Sequence, residues 1–152
     1  MIEKKTKDLY MNITNRVSKT NVLPICIGLD YLWFGSLKFF TSLSPAEDLA
    51  INTIQRLTMG LLPTHISIMA LALWETIIGL LLILQIFKRQ VIVMALIHIS
   101  MTFTPLLFFP ELIFNENMFL PTLLGQYIFK NIIIIGALLS LLKSNTLTYA
   151  KN

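Results

Sequence analysis

The stretch THISIMALALWETIIGLLLILQIFKRQVIVMALIHISMTFTPLLFF, residues 64–109, decides the fold. It holds two apolar runs, 64–87 and 91–109, separated only by Lys88-Arg89-Gln90. Each run approaches the 20 or so residues that an α-helix needs to cross the hydrocarbon of a bilayer. A lone segment in lipid must satisfy its own backbone hydrogen bonds, so both runs are expected to be helical. So short a polar link makes them a tight antiparallel hairpin. Two more runs of the same kind flank this hairpin, at about 22–42 and 123–142. The expected fold class is an all-α membrane protein. It is a four-transmembrane-helix bundle in a single domain, 22–142, between a cytoplasmic tail at 1–21 and another at 143–152.

Composition points the same way. The chain has 152 residues, 55% hydrophobic and 13% charged, where a soluble domain of this size carries roughly a quarter charged residues. Four spans consume most of it, leaving no room for a soluble catalytic or nucleotide-binding domain, and no nucleic-acid partner is expected. The first partner is the lipid bilayer. The net charge of +4 then reads as a topology signal rather than a phosphate-binding surface. Lys4, Lys5, Lys7, Arg16, Lys19, Lys88, Arg89, Lys143 and Lys151 share one side of a four-span protein, nine of the twelve basic residues. That asymmetry predicts a multi-pass cell-membrane protein with both termini in the cytoplasm. Cys26 is the only cysteine, which excludes an intrachain disulfide and a CxxC pair. Its apolar neighbours make it a buried small hydrophobe in this reading.

Between the first two spans, Ser44-Pro45-Ala46-Glu47 has the form of a capping box. Ala46, Leu49, Ala50, Ile54 and Leu57 then recur at helical spacing, and Gly60 and Pro63 end the segment. This predicts a short amphipathic helix at about 45–59, lying at the interface or capping the bundle. The third and fourth spans are joined by 110–122, with Glu111 and Glu116.

Ionisable residues inside the spans are costly, about 2.5–3.5 kcal/mol each near a helix centre, yet every span has one. The first has Asp30 and Lys38, the second Glu75, the third His98, and the fourth Lys130 with Gln126 and Asn131. Asp30, Phe34 and Lys38 lie at i, i+4, i+8; Ala72, Glu75 and Gly79 form a stripe of small residues around a carboxylate. His98, Thr102 and Pro105 follow on one stripe, as do Gln126, Lys130, Ile133 and Ala137. Turning all four stripes inward predicts a polar seam. At ~1.5 Å per residue, Lys38 lies a few Å from the outer end, Lys130 and Thr102 about 10 Å, and Glu75, His98 and Asp30 about 15 Å. Lys130 is therefore the expected partner of Glu75, while Lys38 divides between snorkelling outward and serving a ligand. Asp30 reaches a tyrosine or a backbone group. Pro105 leaves the Met101 carbonyl without its helical donor, adding an acceptor beside Thr102.

Deep ionisable groups are functional candidates, and Glu75, His98 and Lys130 form the expected reactive set. The competing reading is that they are glue between helices. A bis-histidine haem is excluded because His65 begins the second span, far from the level of His98. No Glu-x-x-His pair supports a di-iron site, and no metal site is expected. Trp33, Phe34 and Trp74 are the aromatics near enough to the charged stripes to line a pocket.

Several stretches carry a family resemblance. Trp33-Phe34-Gly35-Ser36-Leu37-Lys38-Phe39, Ser44-Pro45-Ala46-Glu47, Trp74-Glu75-Thr76, Thr102-Phe103-Thr104-Pro105 and Gly125-Gln126-Tyr127-Ile128-Phe129-Lys130-Asn131 together resemble the DoxX-like family of small four-helix membrane proteins. The resemblance covers about residues 22–142. The family includes DoxD-type subunits of thiosulfate:quinone oxidoreduction and DoxX proteins of membrane redox and oxidative-stress complexes. The resemblance implies a four-helix fold and a quinone-linked subunit or accessory of a membrane redox complex. No cofactor is expected to be covalently bound. A quinone would meet Glu75, His98 and Lys130 as the reacting groups, with Trp33, Phe34, Lys38, Trp74, Thr102, Gln126 and Asn131 binding it. A protein partner would supply the electrons, and a homo-oligomer is compatible with the sequence. Two alternatives stay open: a structural or assembly subunit without its own chemistry, and a small-solute carrier.

Overall fold

The computed structural model describes residues 22–40, 43–44, 46–115 and 120–149, with side chains as far as residue 144. The tail 1–21, Pro45, Glu116 and Lys151, which carry part of the sequence reading, lie outside the described residues. The regular structure described is helical: α1 (Val22–Leu37), α2 (Glu47–Leu57), α3 (Thr64–Leu84), α4 (Lys88–Met101), α5 (Pro105–Phe108), α6 (Pro110–Ile113), α7 (Leu123–Phe129) and α8 (Asn131–Tyr149). Among the described residues, three stretches are long and apolar enough to cross a membrane: Thr64–Leu84, Lys88–Phe108 and Leu123–Ser144. The α1 helix is also apolar but shorter, 16 residues.

The hairpin between α3 and α4 turns earlier than its polar residues suggest. Helix α3 stops at Leu84, and Gln85 and Phe87 adopt left-handed backbone (φ 56° and 49°). These two residues reverse the chain, and Lys88-Arg89-Gln90 becomes the first turn of α4. A first helical turn has unpaired N–H groups in any case, so polar residues are at home there. The cavity lined by Pro24, Gln85, Lys88, Leu141 and Ser144 shows that the start of α1, this turn and the end of α8 gather at one end of the molecule.

Proline breaks the third apolar stretch where expected. Helix α4 ends at Met101, a tight turn covers 102–104, and α5 restarts at Pro105. The Met101 carbonyl is not free, however. The Thr104 backbone N–H (3.0 Å) and hydroxyl (2.6 Å) both donate to it. The fourth stretch is also interrupted, for the single residue Lys130, whose carbonyl accepts from Ile133 N–H at 3.0 Å.

Helix α2 begins at Glu47 rather than Pro45, with Ala46 in the cap position and no capping hydrogen bond from that residue. Leu49 and Thr53 are its buried positions, and Leu57, expected on the apolar stripe, is 46% exposed. Leu49 packs with Ile113 and Ile128, flanked by Phe103, Leu106 and Phe109. The helix therefore caps one end of the bundle. Thr122 ties this end together, accepting from Gly125 N–H (3.2 Å) as the α7 cap and donating to the Leu112 carbonyl (2.7 Å). Thr122→Ala is expected to cost about 1 kcal/mol, as loss of such a cap does, read as a lowered denaturation midpoint in detergent micelles.

The main core joins Ile27 and Tyr31 of α1, Ile78 and Leu82 of α3, Val91, Ile92, Ala95 and Ile99 of α4, and Leu138 of α8. Helices α1 and α3 cross closely and antiparallel because glycines face each other. A Cβ on Gly28 would sit 2.8 Å from the Gly79 carbonyl oxygen, and one on Gly35 would sit 2.9 Å from Glu75 Cβ. Outward from this core, Leu73, Ile77, Leu80 and Leu84 form an exposed apolar ridge on α3, the surface expected to meet lipid tails. Cys26 is exposed rather than buried, because the inner face of α1 is taken by Ile27, Gly28, Tyr31 and Gly35.

Candidate functional site

Asp30, Lys38, Glu75, His98 and Lys130 meet around one cavity of about 80 Å³ between α1, α3, α4, α7 and α8. Asp30, Tyr31, Phe34 and Lys38 line it from α1 and the residue just beyond it, Glu75 from α3, His98 and Thr102 from α4 and its end, and Tyr127, Lys130 and Asn131 from the fourth stretch.

The carboxylate of Glu75 pairs with Lys38, not with Lys130: Lys38 Nζ lies 2.6 Å from Oε2, with both side chains about nine-tenths buried. Two local features produce this. The lysine folds back along its own helix, donating also to the Phe34 carbonyl at 3.3 Å. Gly35 lets α1 approach the backbone of α3 at Glu75 and Thr76, so the stem of Lys38 reaches downward into the cavity rather than snorkelling out. The second Glu75 oxygen, Oε1, faces His98 Nε2 at 3.5 Å. His98 Nδ1 in turn contacts the Tyr31 hydroxyl at 3.2 Å, and that hydroxyl donates to the Ala95 carbonyl at 3.0 Å. Lys38, Glu75, His98 and Tyr31 thus form one continuous polar chain across three helices.

The opposite wall is organised differently. The Lys130 ammonium lies 3.9 Å from the ring centroid of Tyr127 and 4.5 Å from that of Phe34. Those rings meet edge to face at 5.4 Å. The quadrupoles of the two rings supply the negative surface that a cation otherwise takes from an acid. Among the described residues, neither the Lys130 ammonium nor the Tyr127 hydroxyl has a hydrogen-bond or ion-pair partner. Deeper in, Asn131 donates to Thr102 Oγ1 at 2.8 Å, and Thr102 donates to the Ile99 carbonyl at 2.6 Å. That bond ties the end of α4 to the start of α8.

Of the residues singled out from sequence, Glu75, His98, Lys130, Phe34, Lys38, Thr102 and Asn131 come together here, and Asp30 joins them. Trp33 and Trp74 do not: they are 66% and 41% exposed on the outer surface. Gln126 also turns away and donates to the Pro121 carbonyl at 3.3 Å. The stripe through Gln126 and Ile133 fails because the tighter turn at Lys130 changes the facing. Ile133 is 76% exposed, while Ile128, Asn131 and Leu138 are buried.

Three lining residues are not among those singled out: the apolar Ile99 and the polar Tyr31 and Tyr127. Tyr31 lies seven residues before Lys38, and Tyr127 three before Lys130, so helical spacing from the charged residues was the available signal. Among the described residues no group of three His, Cys, Asp or Glu could hold a metal ion. No family model, curated protein or solved structure matches this chain.

Proposed function

We propose that the chain is a DoxX-like, four-span membrane protein whose inter-helix cavity binds a quinone head group for a partner redox protein. In this reading α1, completed by the residues that follow it, is the fourth span. The end carrying Lys88, Arg89 and Lys143 faces the cytoplasm, as their positive charge favours.

The observation that carries the proposal is the uneven use of polar groups around the cavity. Helix glue would exhaust its donors on neighbouring helices, as Lys38 does on Glu75 and Asn131 on Thr102. Lys130 and Tyr127 instead face the cavity with unspent donors, beside an aromatic pair fit to flank a ring. A quinone carbonyl requires such donors, and the small cavity limits the occupant to a head group, with its tail left in lipid. Reduction of a quinone to a quinol takes up two electrons and two protons. The electrons would come from the partner. Protons would arrive from solvent past Glu75 and His98. The chain's own contribution is to hold the ring, to orient it by Lys130 and Tyr127, and to exclude lipid from the polar wall.

The test is equilibrium binding of a short-tailed quinone analogue to the protein in nanodiscs. Loss of a charged hydrogen bond is worth about 1.5–3 kcal/mol, so Lys130→Met should weaken binding roughly ten- to a hundredfold. Glu75→Gln should weaken it less, acting through the arrangement of Lys38. Parent-like affinity in both variants would reject the quinone reading and favour the structural one.

A further inference from the structure

The position of Tyr31 fixes where His98 carries its proton. A phenol has one proton to give and can accept through its lone pairs. The Tyr31 oxygen lies 3.0 Å from the Ala95 carbonyl and 3.2 Å from His98 Nδ1. A carbonyl only accepts. If the tyrosine proton pointed to the imidazole, two oxygens would face each other at 3.0 Å with no proton between them, in an apolar core. The proton therefore points to Ala95, and the Tyr31 oxygen accepts from Nδ1–H.

This has a consequence on the other side of the ring. With the Nδ1 position protonated, neutral His98 aims its Nε2 lone pair at Glu75 Oε1, 3.5 Å away. Glu75 is meanwhile held by Lys38 through Oε2. Two acceptors facing each other leave room for a single proton between them. We infer that Tyr31 is a positioning residue that locks His98 in the Nδ1–H tautomer, making Glu75 and His98 a dyad that takes up and releases one proton.

The balance is simple. Without that proton, Lys38 and Glu75 cancel and His98 is neutral. With it, the chain gains one positive charge as Nε2–H donates to Oε1. The other charged or titratable groups lining the cavity are Asp30 on α1, and Tyr127 and Lys130 on the facing wall. The inference deepens the proposed function by naming the proton-handling element of the same cavity, and it rests on that reading only for what the proton serves. The dyad itself stands on the Tyr31 hydrogen bonds and on the 3.5 Å separation of His98 Nε2 from Glu75 Oε1.

The protein alone supplies the test, so no quinone is needed. His65 is the only other histidine and is exposed at the start of α3, so His65→Asn leaves a single imidazole. Nitrogen-15 NMR of this histidine-labelled variant in nanodiscs reports the tautomer directly. The expected spectrum of the unloaded state has a protonated Nδ1 and a bare Nε2, and on acidification Nε2 gains the proton. In Tyr31→Phe the tautomer preference should reverse or become mixed, with helix content unchanged by circular dichroism. An Nε2–H tautomer in the unloaded parent would overturn the inference, and so would a tautomer indifferent to Tyr31→Phe. A parent protein that binds no quinone analogue, with the NMR signature intact, would instead reject the ligand reading and leave the dyad standing.

Discussion

Glu75→Ala should be among the most destabilising single substitutions in the molecule, lowering unfolding free energy by about 3–5 kcal/mol, the usual cost of breaking a buried ion pair from one side. The reason is what remains. Lys38 would keep its ammonium nine-tenths buried, with one carbonyl partner at 3.3 Å and no compensating charge within bonding distance. The histidine would also lose the oxygen facing its Nε2. Most of the loss should return in the double variant Lys38→Met/Glu75→Leu, since replacing a buried pair by apolar side chains of similar volume is often neutral or favourable. Denaturant unfolding in mixed micelles measures both. A double variant as damaged as the single one would mean that Glu75 stabilises the fold by some route other than its pairing with Lys38.

That pair also shows where the sequence is legible and where it is not. Hydrophobic runs located the three long apolar stretches found among the described residues, because length and apolarity are properties of the segment alone. Helical spacing located Asp30, Phe34, Lys38, Glu75, His98 and Thr102 on faces that do meet. Partner choice was another matter. Depth counting favoured Lys130 for Glu75 because it placed each charge at its Cα, whereas a lysine stem can carry the ammonium several Å along the helix. Lys38 uses that reach downward, and nothing local in the sequence says which direction it takes. Lys130 then finds its negative surface in two aromatic rings, an arrangement that a search for opposite charges does not detect.

The misreadings elsewhere have the same origin in tertiary choices. Trp33 and Trp74 lie beside stripe residues in sequence, but one helical step of about 100° is enough to place them outside. Gln126 and Ile133 followed a regular helical repeat that the turn at Lys130 interrupts. The hairpin turn fell on Gln85 and Phe87, two residues without any of the usual turn chemistry, since their left-handed backbone is set by the reversal itself. Lys88-Arg89-Gln90 form the first turn of α4 rather than the link between the helices.

The second large effect is expected at Gly79. A Cβ there would lie 2.7 Å from the backbone nitrogen of Leu32 and 2.8 Å from the carbonyl oxygen of Gly28. Backbone atoms cannot turn aside as a side chain can, so α1 as a whole must move. Gly79→Leu gains somewhat less than the about 0.8–1 kcal/mol of helix propensity that separates Gly from Ala, whereas forcing extra atoms into a packed interface costs typically 1–3 kcal/mol and occasionally more. With rigid backbone on the far side the upper end applies, and overpacking wins by about 2 kcal/mol. Gly136 is the matched control: beyond its chain neighbours and its own helical backbone, no atom lies within 4 Å of a Cβ built there, so Gly136→Leu should keep the propensity gain and raise stability slightly. The Gly79 variant should also reach the site, since the α1–α3 approach that Gly28 and Gly79 permit is the one that brings Lys38 to Glu75. Adding Glu75→Ala to Gly79→Leu should therefore cost much less than Glu75→Ala costs alone. Strict additivity in that cycle would mean that the crossing and the ion pair are independent, and that the glycines hold the helices together without setting the geometry of the cavity.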